Sequence, residues 1–295
     1  MGEILIGTCS WTDKTLIASG RFYPDWAKSA EARLRYYASQ FPIVEVDSSY
    51  YALPSENNTQ LWVERSGDGF IFNIKAFRLF TQHPTPLTAL PKDIRQELPP
   101  VEKKNLYLRD LPSALVDEVW KRFHAALQPL AEAGKLGVVL FQFPSWFFPG
   151  DEQHHHILGC QERLPRYRIA VEFRHGSWVN EKNAERTFQF LRDNNLLYVC
   201  VDEPQGFRSS VPPVTEVTSH ISLVRFHGRN RETWDKKGIG AAERFDYLYS
   251  EGELQEWASR LKEMASEARQ LHVLFNNCHE DKAVVNAGQM RMMLD

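Results

Sequence analysis

The strongest constraint in this chain is a recurrence: short apolar, β-branched runs that each stop at a charged or amide residue. Eight such runs occupy residues 4–8, 43–46, 70–74, 136–141, 168–171, 197–201, 221–226 and 271–275. The fifth is the most explicit, because Arg168-Ile-Ala-Val171 is followed at once by Glu172, Arg174 and His175. A buried strand ending in a carboxylate, a guanidinium and an imidazole must pair those charges. The partners are each other, neighbouring strand ends or a ligand, since an unpaired buried charge is strongly destabilising.

Helical patterns fill most intervals. Leu34, Tyr37, Ala38 and Phe41 form one apolar stripe, and Leu115, Val119, Phe123, Ala126 and Leu130 form a longer one entered at Pro112. Asn180 is the expected N-cap before Ala184, Thr187, Phe188 and Leu191. Leu254, Trp257, Ala258, Leu261, Ala265 and Ala268 draw the clearest stripe. Strands alternating with helices predict βαβ units and a parallel sheet. Eight of them in 295 residues predict an α/β fold, a single (β/α)8 TIM-type barrel spanning 1–295. An open doubly wound sheet is the runner-up, but Gly7-Thr-Cys-Ser-Trp11 after the first strand does not match GxGxxG. One interval breaks the spacing. Residues 76–111, with Pro84, Pro86, Pro91, Pro99 and Pro100, read as a long irregular insertion after the third strand. Following a strand's C-terminal end, it is expected at the barrel mouth, as a lid, a wall or a passive excursion.

Composition adds exclusions. Hydrophobic residues at 43%, charged residues at 25% and a net charge of −3 describe a globular chain with no global affinity for nucleic acid or anionic membrane. No apolar run approaches the ~18–20 residues that span a bilayer, and no targeting segment is expected. Cys9, Cys160, Cys200 and Cys278 contain no CxxC pair, which suits a reducing compartment, so a cytoplasmic location is expected.

Four segments carry a resemblance: Gly7-Thr-Cys-Ser-Trp11, Arg21-Phe-Tyr-Pro-Asp-Trp26, Val44-Glu-Val-Asp-Ser-Ser-Tyr-Tyr51 and Ala170-Val-Glu-Phe-Arg-His-Gly-Ser-Trp178. Together with Leu140-Phe-Gln-Phe-Pro144, Val224-Arg-Phe-His-Gly228, Phe275-Asn-Asn277 and Asn286-Ala287, they run in order along nearly the whole chain. The chain thereby resembles the YecE-like family, the domain of unknown function 72. The resemblance implies a TIM-type barrel and supplies no reaction. The chain departs from the usual pattern at Asp47, where Asn is common, and in a longer third connection.

In a barrel the strand C-termini surround one pocket. The candidates placed there are Asp47, Lys75, Gln142, Glu172, Arg174, Asp202, Arg225, His227, Asn276 and Asn277, with Trp11 beside the first strand. They read either as a ligand site or as ion pairs plugging the barrel top. As a site, Glu172 and Asp202 are the acid/base candidates, assisted by Lys75 and His227, with a small anionic or sugar-like ligand as substrate. Carboxylates of strands two, five and six with His227 also offer oxygen and imidazole ligands to a divalent metal, opposed by three nearby cations. No cofactor is specified. The loop from His227 to Gly240 is basic and glycine-containing, and Gly228 and Arg229 in it are candidates for binding phosphate. The alternative is a non-catalytic module binding nucleic acid or protein through Arg229, Arg231, Trp234 and Arg244, against which the acidic total weighs. Trp11, Tyr23, Trp26, Tyr50, Tyr51, Trp146 and Trp178 read chiefly as packing of loops onto the rim. Cys9 and Cys278 read as inert thiols, and His154-His-His156 as a surface feature.

Overall fold

The computed structural model describes residues 1–100 and 102–295; residue 101, inside the expected insertion, lies outside the described residues. Its centre is a closed ring of parallel strands: β1 (Glu3–Thr8), β2 (Ile43–Val46), β3 (Ile71–Lys75), β4 (Leu136–Gln142), β5 (Ile169–Glu172), β6 (Leu197–Asp202), β7 (Ile221–Phe226) and β8 (Gln270–Phe275). Ring order follows chain order, and β8 closes on β1 through the Thr8–Phe275 register. Each of the eight runs read from the sequence is one of these strands. This is the TIM-type barrel.

The outer layer is α1 (Ala30–Gln40), α2 (Glu56–Arg65), α3 (Ser113–Glu132), α4 (Asp151–Glu162), α5 (Ala184–Asp193), α6 (Glu251–Glu267) and α7 (Lys282–Leu294). Helix α6 starts in a capping box in which Ser250 and Glu253 bond each other's backbone N–H, and its stripe from Leu254 to Ala265 is buried. Helix α5 begins at Ala184 with Asn183 as cap residue. The expected cap Asn180 works one turn earlier, its side chain accepting from the Asn183 N–H. Between β6 and β7 the described residues contain no helix. Pro204, Gly206, Pro212 and Pro213 explain this, because that span cannot sustain a helical hydrogen-bond ladder. The histidine run is not a free surface feature either: His156 donates from Nε2 to the Phe80 carbonyl, and the His154 ring packs on Phe190.

Residues 76–111 are more ordered than their prolines suggest. Phe77, Leu79 and Phe80 are buried, and Phe80 stacks on Trp120 of α3 at 3.6 Å. Thr85–Pro86 then pairs antiparallel with Asn105–Leu106, and Lys92–Glu97 is a short helix.

Strand register fixes which side chains enter the barrel, because residues in register share a face. The pairs Ile43–Ile71, Lys75–Leu140, Leu140–Ala170, Ala170–Leu197, Val201–Arg225 and Leu274–Arg225 share the inner face. By alternation Glu45, Asn73, Glu172 and Arg225 also point inward. Lower in the barrel, Gly137 leaves room for Asn73: a Cβ there would stand 2.3 Å from Asn73 Oδ1, which accepts from the Val138 N–H at 3.1 Å. Among the described residues no helix is long and apolar enough to cross a membrane.

Candidate site at the barrel mouth

The inward charges form two tiers. The lower is centred on Arg225, whose side chain has no solvent exposure. It donates from one nitrogen to Glu172 Oε2 at 2.5 Å and from the other to Glu45 Oε1, with Cys9 Sγ 3.6 Å away. Burial alone would raise Glu172, but Arg225, His227 and Arg174 outweigh it and hold the carboxyl well below its ordinary range. Glu172 Oε1 also accepts from Gln142 Nε2 and from His227. Glu172 is therefore a permanently charged, fully engaged anchor and a poor proton carrier.

His227 is neutral by the same geometry. Its Nε2–H donates to Glu172 at 3.0 Å while Nδ1 accepts from Asn276 Nδ2 at 2.9 Å. Burial, reinforced by Arg174 and Arg225, outweighs Glu172 and pushes it down to about 3. An imidazole fixed in one tautomer orients Glu172 and takes no proton near neutrality.

The upper tier reaches solvent. Lys75 lies 3.2 Å from Asp47 Oδ1, with their side chains 11% and 27% exposed. Burial would lower the ammonium, but Asp47 and the two glutamates beneath overcome it and keep Lys75 charged, above its ordinary value. Arg174, 17% exposed, sets one nitrogen 3.3 Å from Glu172 and the other 3.4 Å from Glu203 Oε2, with its guanidinium 5.0 Å from the Trp234 ring centre. Glu203 Oε1 accepts from the Val211 N–H at 2.7 Å, and Oε2 is buried without a hydrogen bond. Burial, with Arg174 and that N–H opposing, raises Glu203 to about 7. A carboxyl near neutrality beside a carboxylate held ionised is the arrangement that divides proton transfer from charge stabilisation.

The segment after β3 adds two residues to the mouth that no strand-end pattern marks, Arg78 and His83. Arg78 lies over the Tyr50 ring at 5.2 Å, and its Nε is buried without a hydrogen bond. His83 packs on the same ring at 5.3 Å. Burial, helped by the cations Lys75, Arg78 and Arg174, pushes His83 down to about 3, so the imidazole adds no charge beside Lys75 and Arg78, which share the Tyr50 ring.

Several expected site residues lie elsewhere. Asp202 faces outward, where Arg229 holds both its oxygens at 3.0 Å from Nε and Trp257 Nε1 of α6 donates at 2.8 Å. It is saturated by packing partners, and its neighbour Glu203 takes the mouth position instead. Arg229 reaches Glu253 and Glu256 of α6 as well as Asp202, so it clamps a helix to the barrel. Gly228, at φ +85°, gives its N–H to the Tyr249 hydroxyl. Arg231 donates to the Gln205 carbonyl, and Arg244 to the carbonyls of Thr233 and Lys236. The basic loop is thus fastened internally, with the Gly228 N–H and the Arg229 guanidinium already engaged by Tyr249, Asp202 and α6. It brings the buried Trp234 against Arg174, and the half-buried Phe245 just beyond it stacks on His227. Asn277 ties Asn286 and the Tyr247 carbonyl together, and Asn286 grips Tyr249 in turn. Trp11 packs edge-on against Trp62 and Phe72 in the layer outside the barrel. Trp178 is buried against Phe173, whereas Tyr51 and Trp146 stand exposed. Burial raises both Cys9 and Cys278, so neither thiol is activated. Among the described residues no three His, Cys, Asp or Glu side chains are grouped to hold a metal ion. The outward turn of Asp202 removes the sixth-strand carboxylate from such a set.

These features define a class: a β/α barrel whose C-terminal mouth carries an organised, solvent-reaching set of acids and cations. The chain belongs to the family described as Protein of unknown function DUF72, whose model matches residues 5–295. It is 33% identical over 296 residues to the UPF0759 protein YunF of Bacillus subtilis (strain 168), covering 99% of this chain and 95% of that one. A DUF72 family protein from Thermotoga maritima MSB8 superposes with a TM-score of 0.77 at 28% identity, covering 99% of each chain. One from Enterococcus faecalis V583 gives 0.78 at 26% identity, covering 99% of this chain and 95% of that chain.

Proposed function

We propose that the mouth is an acid–base site for a small anionic molecule, with Glu203 carrying the proton and Lys75, Arg78 and Arg174 binding the anion. One observation carries this reading: Glu203 Oε2 is buried and without a hydrogen bond, beside a guanidinium that reaches solvent. Arg174 faces that oxygen across 3.4 Å without a hydrogen bond, so the carboxyl keeps a lone pair that its own fold does not fill. Glu172 holds Arg174 from below and is itself held by Gln142 and His227, with Asn276 behind. Asp47 positions Lys75.

The test uses sulfate, which does not itself titrate near neutrality. An anion placed beside Glu203 disfavours its charged form, so binding near pH 7 should take up a fraction of a proton. Calorimetry in buffers of differing ionisation enthalpy measures that uptake. Glu203→Gln should abolish the uptake and retain binding, while Arg78→Ala and Arg174→Ala should each weaken sulfate by about tenfold, as loss of a charge-assisted contact does. A wild-type protein that ignores sulfate, or a Glu203→Gln protein with undiminished uptake, sinks the assignment.

A further inference from the structure

Beside the mouth is a cavity of about 420 Å³ to which the acid–base site contributes nothing. Its walls include Gln82, Tyr107, Leu108, Arg109, Trp146 and Glu152, drawn from the segment after β3 and from the chain around the start of α4. The volume falls within the roughly 300–1,000 Å³ of small-molecule sites.

Two observations join this cavity to the mouth. Trp146, 52% exposed, lines the cavity, and its ring also meets that of His83 at 6.0 Å. His83 packs on the Tyr50 ring, over which Lys75 and Arg78 also lie, at 4.9 and 5.2 Å. Gln82 takes φ +59°, an uncommon conformation for a residue with a Cβ. Successive side chains are thereby divided, Gln82 to the cavity and His83 to the cations.

The lining chemistry selects the occupant. Arg109, 5.0 Å from the Tyr107 ring centre, only donates; Glu152 as a carboxylate only accepts; Gln82 and Tyr107 do both. Hydroxyl groups, which also donate and accept, match such a mixed set. An apolar ligand would bury these groups unpaired. A compact polar one would leave the Trp146 face uncovered. A sugar ring offers an apolar C–H face to the indole and a hydroxyl edge to the rest.

We propose that this cavity is a glycosyl subsite, holding the sugar ring of a substrate whose anionic group lies among Lys75, Arg78 and Arg174. The proposal rests on the acid–base reading of the mouth and narrows its substrate to a sugar bearing an anionic group.

The experiment compares inorganic phosphate, three hexose monophosphates and the corresponding free hexoses by calorimetry and by the Trp146 indole resonance. At least one hexose monophosphate should bind about tenfold more tightly than phosphate, a gain that one well-formed additional set of contacts supplies. Trp146→Ala and Arg109→Ala should each return that ratio towards one. Trp146 is half exposed, so its removal should not unfold the protein. Equal affinities for phosphate and all the hexose monophosphates overturn the subsite while leaving the mouth reading intact. Failure of phosphate to bind overturns the mouth reading instead. The cavity is then judged on the free hexoses: a Trp146 shift supports it and none overturns it.

Discussion

Asp202 and Glu203 are neighbours in sequence, both buried, both facing an arginine, and they do opposite things. Asp202 projects outward from the end of β6, where Arg229 and Trp257 occupy its oxygens. Glu203 projects inward, where one oxygen has a backbone partner and the other has no hydrogen bond. The pleat separates them, since consecutive side chains leave opposite faces of a strand. The difference teaches that a strand-end charge is not a site by position alone. Saturation distinguishes the two, because a carboxylate whose lone pairs are filled by its own fold has none left for a substrate.

The largest expected effect lies in the tier beneath both residues. Arg225→Met should leave Glu45 and Glu172 buried without their cation and destabilise the fold by about 3–5 kcal/mol, read from urea midpoints. A loss well below that would mean the lower tier is not what organises the mouth. Next in size is Asp202→Ala, which strands a partly exposed arginine and the Trp257 N–H. The expected cost is about 1–3 kcal/mol with sulfate affinity changed by no more than about twofold. If sulfate binding collapsed instead, the outward carboxylate would belong to the site after all.

A further expected effect is a pH dependence. Glu203 is raised from its ordinary 4.5 to about 7, so the native state holds a proton that the unfolded chain releases. Its stabilising contribution is complete below about 4.5 and is lost as pH rises through about 7. Stability should fall across that window by at most about 1.4 kcal/mol per pH unit from this group. Burial raises Glu45 in the same direction, and that limb persists in Glu203→Gln. The wild-type-minus-variant difference should carry the Glu203 share alone, and a flat difference would remove Glu203 from the proton chemistry.

Much of this was legible in the sequence. Runs of β-branched residues closed by polar ones specify strands locally, and the stripe from Leu254 to Ala265 specifies a helix without reference to anything else. Eight such units leave few ways to bury every strand on both faces, so the barrel follows from local pattern. The cluster of Glu172, Arg174, Arg225 and His227 was visible too, because charges at the ends of apolar runs have few places to go. Glu203 and Arg78 were not. Glu203 stands one residue beyond an aspartate that already looked like the strand's functional end, and period-two alternation gives no absolute phase without the register of a neighbour. The Val201–Arg225 pairing supplies that phase. Arg78 sits in a proline-rich segment with no period, and only the packing of Phe77 and Phe80 turns it towards Tyr50.

By itself, then, the sequence determined the barrel, the end of it that carries the charges and the family to which the chain belongs. Those depend on local propensity and on burial averaged over a strand. Which acid is saturated and which keeps an oxygen without a hydrogen bond depends on single contacts between residues distant in the chain, such as Arg229 and Trp257 with Asp202. Only the tertiary structure decided that. A hydrogen bond is set by tenths of an ångström, and the pattern of residue types along a chain contains no distances.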